Sequence, residues 1–150
     1  MTNLSLDQLL APPPADGAPA PVPQRILETI VLRFLARVIH ADGVIHAAEL
    51  TNLVGVAASL QMSGDEARRV LDDELNRKSD CAVLAAQIPD RHRRREVYAL
   101  GCLMGAADGA VADEERAVLA EFARGAVIPD ADAQAILDEV LKVTRGARPA

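Results

Sequence analysis

The chain has 150 residues, half of them apolar, with a net charge of −6, two cysteines, one tyrosine, two phenylalanines and no tryptophan. That length predicts one domain, large enough to bury about two-thirds of its unfolded surface without covalent staples. The acidic balance excludes general nucleic-acid binding, no stretch approaches the ~18 apolar residues of a membrane span, and no basic-then-apolar leader opens the chain.

In chain order, residues 1–23 stand apart as a tail. Leu4, Leu6, Leu9 and Leu10 allow one short amphipathic turn that docks on a partner or on the domain itself, but a frayed terminus is the leading expectation, and Ala11 to Pro23 is a flexible Pro/Ala-rich linker. Seven helices are predicted over a domain spanning 24–146, followed by a short tail at 147–150. The first covers about 24–40, with Ile26, Ile30, Phe34, Leu35 and Val38 on one face, and Asp42-Gly43 ends it. The second runs from about 46 to 60. The third opens at Ser63, where Ser63-Gly64-Asp65-Glu66 reads as a capping box, and continues to about 76. A shorter helix capped by Asp80 ends at Pro89. The last three cover about 90–106, 112–125 and 130–145. Ala and Leu favour helix and no β-branched run reads as a strand, so the class is all-α. Gly101 and Gly105, one turn apart, leave room for close helix packing. Cys81 and Cys102 lack metal-type spacing and read as free thiols of a reducing cytoplasm.

The chain also repeats itself. Ala41-Asp42-Gly43 with Ile45 and Glu49 returns 66 residues later as Ala107-Asp108-Gly109 with Val111 and Glu115. The pairs Val31/Val97, Leu53/Leu119, Ala57/Ala123, Ala67/Ala133, Leu71/Leu137 and Leu75/Leu141 keep the same offset. The expected architecture is therefore two pseudo-symmetric three-helix repeats joined by a short helix.

Each Asp-Gly corner has two readings. As structure, Asp42 and Asp108 take backbone N–H bonds across a turn, while Glu49 and Glu115 offset the dipole of the next helix. As chemistry, Asp and Glu converge across a tight turn, and two such corners brought together offer four carboxylates to a divalent cation: Ca²⁺, Mg²⁺, Mn²⁺ or Zn²⁺. His46, Asp113 and Glu114 are further candidates; His40 and His46 are either ligands for a transition ion at the first corner or, as their positions favour, a helix-end cation and an N-terminal turn residue. The run Arg91, His92, Arg93, Arg94, Arg95 opens a helix, where cations oppose the macrodipole. It is either a contact for an acidic partner or a solvated face paired to acids elsewhere.

Two helical triplets, each with an Ala-Asp-Gly-x-apolar-x-x-x-Glu turn, resemble the tellurite-resistance TerB-like family. Its relatives include the N-terminal domain of a membrane-anchored DnaJ-type co-chaperone. The resemblance covers about residues 24–145. It implies a seven-helix fold, divalent-metal binding at Asp42, Glu49, Asp108 and Glu115, and a place in cytoplasmic stress-response complexes with protein partners near the membrane. One departure is visible: Ser or Thr often precedes the second helix of each triplet in that family, whereas this chain has His46 and Ala112. No nucleophile–base pair or phosphate-binding glycine loop is present, so a non-enzymatic module is expected. The competing expectation is a metal-independent interaction scaffold whose acidic corners are only turns and caps.

Overall fold

A computed structural model describes residues 24–41, 47–60, 62–106 and 111–146. The two tails fall outside these residues, as do Asp42 to His46 and Ala107 to Ala110, so the leucine-bearing segment and most of both Asp-Gly corners do as well. Seven helices are described: α1 (Gln24–Ile39), α2 (Ala47–Ser59), α3 (Gly64–Arg77), α4 (Cys81–Ala86), α5 (Arg91–Gly105), α6 (Asp113–Gly125) and α7 (Asp130–Gly146). The fold is all-α, with no strand among the described residues.

Side-chain caps set the helix starts. The Ser63 hydroxyl accepts the Glu66 N–H at 3.1 Å, Asp80 accepts the Ala82 N–H at 2.9 Å, and Asp90 accepts the His92 N–H at 2.8 Å. Each satisfies one of the amide donors that a helix start leaves without an intrahelical acceptor. Helix α6 starts without such a cap, because Ala112 has no side-chain acceptor; Glu115 compensates by accepting the Ala112 N–H at 2.9 Å.

The bundle is organised around α1. An amphipathic helix with one buried face is the expectation for these residues. Instead Ile30, Val31, Leu32, Phe34, Leu35, Ala36, Val38 and Ile39 are all buried, so burial runs almost around the helix, while Ile26 is half exposed. The reason is that α1 packs against α2, α3, α4, α5 and α6 at once. A helix enclosed in this way needs apolar side chains on every side.

Contacts between helices come in matching sets. α1 meets α3 and α5 meets α7; α1 meets α2 and α5 meets α6; α1 meets α6 and α5 meets α2. Positions 66 apart are buried together: Val31 with Val97, Leu53 with Leu119, Ala57 with Ala123, Ala67 with Ala133. Across the middle, the Phe34 and Phe122 rings stack with centroids 4.0 Å apart. A Cβ at Gly101 would overlap the Phe34 ring, which explains the small residue there. Helix α4 has no counterpart among the described residues. It lies on α6 in the most extensive helix contact among the described residues, and a Cβ at Gly125 would overlap the Ala82 backbone.

Candidate functional site

The helices that follow both acidic corners are described, but only after the second corner are the side chains of the first helical turn described as well. Glu115 is half-buried in the first turn of α6, with Oε1 on the Ala112 N–H and Oε2 about 3.5 Å from where a Cβ on Gly105 would lie. Asp113 and Glu114 are exposed on the same turn. Asp42, His46 and Asp108, and the side chain of Glu49, lie outside the described residues; among those described, no three His, Cys, Asp or Glu side chains cluster as a metal would require. Glu115 therefore has the capping role that its position predicts.

The arginine run does not present one face. Arg91 and His92 are exposed; Arg93 is buried, its Nε 3.8 Å from Asp90. Arg94 points inward, donating from Nε to the Ile88 carbonyl, from one terminal nitrogen to Ala126 at 3.5 Å and from the other to Ala86 at 3.4 Å. Ala86 ends α4 and Ala126 follows α6, so this one cation meets the negative ends of two helix dipoles. Arg95 pairs with Asp132 of α7 at 2.9 Å.

Three polar clusters went unnoticed at the sequence level. Glu74 is 1% exposed and accepts from Arg33 at 2.9 Å, the Ser79 N–H at 2.7 Å and the Ser79 hydroxyl at 2.8 Å, tying α1 to the end of α3. At the start of α4, Glu121 accepts the Cys81 N–H at 2.9 Å and shares a hydrogen bond with Asp80. Partial burial and that bond raise the Glu121 carboxyl above the usual range, while the same bond holds Asp80 below its own. Cys81 and Cys102 are free and buried, and desolvation pushes both thiols up to about 12, leaving them unreactive near neutrality.

The third cluster is on α5. Glu96 is 8% exposed, with Oε1 on His92 Nε2 one turn back, and its buried Oε2 has no hydrogen-bond partner among the described residues. The repeat itself carries the signal for two of these sites. At the 66-residue offset Glu96 stands where the first half has Ile30, and Glu74 stands where the second half has Val140. Both acids stand in registers that a large apolar side chain occupies in the other copy.

Further along the same face of α5 lies a groove of about 370 Å³. Thr51, Gly55 and Ser59 of α2 form one wall, and Leu100, Leu103 and Met104 of α5 form the other. Among the α2 residues whose side chains are described, the exposed ones are Thr51, Val54, Gly55, Ala58 and Ser59, none charged, whereas exposed positions of α3 and α6 carry Asp65, Arg68, Asp72, Asp113, Glu114 and Arg124. Val54 and Leu103 are 57% and 41% exposed. No helix among the described residues is long and apolar enough to cross a membrane.

No curated protein and no solved structure matches the chain. A family model does: the one described as Protein of unknown function (DUF533) matches residues 7–140. The chain belongs to the DUF533 family, within the TerB-like group.

Proposed function

We propose that the chain is a non-enzymatic TerB-like docking module that acts in a cytoplasmic stress-response assembly of the tellurite-resistance type. The α2/α5 groove is its contact surface. The observation that carries this reading is the uncharged outer face of α2: from Leu50 to Gly64 there is no Asp, Glu, Lys or Arg, and the wall beside it exposes Leu103. A groove of this shape takes an apolar helical segment, whose side chains fill it at helical spacing. A photo-crosslinking side chain at Leu103, compared with one at the equally exposed Val143 on α7, tests the proposal in the native cell. Crosslinks specific to position 103, whether to another protein or within the chain itself, support a docking groove. The same adducts at both positions, or none at 103, would overturn it.

A second reading is favoured by Glu115, whose bond to the Ala112 N–H holds a carboxylate at the end of the Ala107–Ala110 segment. On this reading Asp108 and Glu115, with Asp42 and Glu49, hold a divalent cation that stiffens the two corners. Millimolar Ca²⁺, Mg²⁺, Mn²⁺ or Zn²⁺ then raises the melting temperature, and Asp42→Asn with Asp108→Asn abolishes the rise. Indifference to all four ions would sink this reading.

A further inference from the structure

We infer that the groove between α2 and α5 is filled by the chain's own N-terminal segment, with Leu6, Leu9 and Leu10 seated in it as α4 is seated between α6 and α1. This rests on reading the groove as a docking site and names its occupant.

The argument begins with α4. It buries Cys81, Leu84 and Ala85, spaced i, i+3, i+4, behind an N-cap at Asp80. Two positions of α6 receive it: Glu121 takes the Cys81 N–H, and Gly125 lies against the Ala82 backbone. From the other side Ile26 and Ile30 of α1 share a cavity wall with Leu84. Subtracting 66 from the α6 positions gives Gly55 and Ser59; adding 66 to the α1 positions gives His92 and Glu96. Gly55 and Ser59 line the α2/α5 groove, and a Cβ at Gly55 would meet nothing within 4 Å. On its α2 side, the equivalent of the cradle that α4 fills is thus open among the described residues, while the α5 wall of the groove is formed by Leu100, Leu103 and Met104, beyond His92 and Glu96.

The chain before α1 has what is needed to fill it. Leu6, Leu9 and Leu10 repeat the i, i+3, i+4 spacing of Cys81, Leu84 and Ala85, and Ser5 precedes them as Asp80 precedes Cys81, in the residue class that caps helices. The segment precedes α1 as α4 precedes α5. The 13 linker residues Ala11 to Pro23 span up to about 40 Å when extended. Helix α1, at 16 residues, is about 24 Å long, so the linker reaches any part of the groove. The family match begins at residue 7, so it includes Leu9 and Leu10 across the linker.

Glu96 supplies an independent observation. Its buried Oε2 lacks a donor among the described residues; it stands one turn before Leu100 of the groove wall, in the register of Ile30, which lines one cavity with Leu84 of the seated helix in the other half. A buried carboxylate oxygen is costly unless a donor reaches it, and an N–H brought by the docked segment answers that need.

The test uses the full chain with Asp7→Cys and Ser59→Cys, the positions that correspond to Ala82 and Gly125; both native thiols are buried. Mild oxidation is expected to close an intrachain disulfide, giving a monomer of altered mobility. The control pair Asp7→Cys with Val143→Cys is expected to close at least about tenfold more slowly, as a local tether without a docked state would. Equal rates in the two pairs would overturn the inference, and so would an interchain dimer, which would assign the groove to a second copy. As a measurement free of cysteines, Leu9→Asp with Leu10→Asp is expected to speed amide exchange about tenfold over residues 51–59 and 96–104. Unchanged exchange there would also overturn it. If the disulfide fails while adducts at position 103 persist, the groove is a docking site for another protein and only the occupant named here is wrong.

Discussion

The two halves of this molecule bury the same registers but hold their outer helices by different means. In the first half α1 is tied to α3 by a charged pair: Arg33 meets Glu74 at 2.9 Å and exposed Asp73 at 2.7 Å, with Ser79 completing the Glu74 shell. At the offset of 66 the second half has Ala99 for Arg33 and Val140 for Glu74, and Val140 is 4% exposed in an apolar contact. Its ionic link between α5 and α7, Arg95 with Asp132, is solvent-exposed. One fold thus accommodates both a buried ion pair and its hydrocarbon replacement. The comparison shows that the pair is not required by the architecture; it acts as a local choice that the loop after α3 then depends on.

The largest expected effect separates these two solutions. Arg33→Ala alone leaves Glu74 buried without its cation and is expected to cost about 3 kcal/mol in denaturant unfolding. Copying the second half, Arg33→Ala with Glu74→Val, is expected to recover most of that loss, to within about 1 kcal/mol of the parent. A double variant as unstable as the single one would mean that the halves are not interchangeable at this register.

A smaller contrast compares glycines on the two equivalent helices. Gly125→Ala on α6 forces a methyl into the Ala82 backbone and is expected to destabilise by about 2 kcal/mol. Gly55→Ala on α2 meets open space, in a register where the other half carries Glu121, and is expected to stabilise by about 0.5–1 kcal/mol through helix propensity. Thermal melts of the two variants shifting in the same direction would break the comparison.

Val127 offers a third handle, of about 1 kcal/mol. It has φ 57° just after α6, a left-handed conformation that crowds a β-branched side chain, and its own side chain is 64% exposed. Val127→Gly is expected to raise the unfolding midpoint; a fall would show that the exposed isopropyl group contributes more than the strain removes.

The gentlest probe is pH. Glu121 has a raised carboxyl value, so its contribution is present in acid and is lost as pH rises past the ordinary 4.5 and through its native value. Asp80 is lowered, so its contribution is present above 3.8 and lost as pH falls through its own native value. Glu121→Gln keeps an acceptor for the Cys81 N–H and a donor for Asp80 but cannot ionise. Melting temperatures followed from about pH 4 to 7 should decline less in this variant than in the parent. Parallel curves would remove Glu121 from the pH response.

Much of the fold was legible because its helix ends are written in local chemistry. Ser63, Asp80 and Asp90 are strong capping residues, and each caps the helix predicted for it. The spacing of Gly101 was read as a packing device, and the Phe34 ring bears that out. What local chemistry does not carry is which helix lies at the centre. α1 has the pattern of a surface helix with one apolar stripe, yet five neighbours enclose it. Nor does local chemistry show the role of Gly125: the left-handed residue after α6 is Val127, and the glycine serves the approach of α4. The buried acids were missed because a single Glu on a helix looks like solvent-facing charge until its apolar counterpart 66 residues away is set beside it. The groove is not legible because the sequence does not show which helix leaves the outer face of α2 uncovered.

The Phe34–Phe122 stack also determines what light can report about this protein. Tyr98 lies 6.4 Å from Phe122, ring to ring, so the three aromatic residues of the entire chain form one row across the boundary between the halves. With no tryptophan present, the near-ultraviolet circular dichroism of the native state arises from this single seam. Far-ultraviolet signal reports helix content everywhere, so comparing the two bands on heating distinguishes halves that part first from helices that melt first.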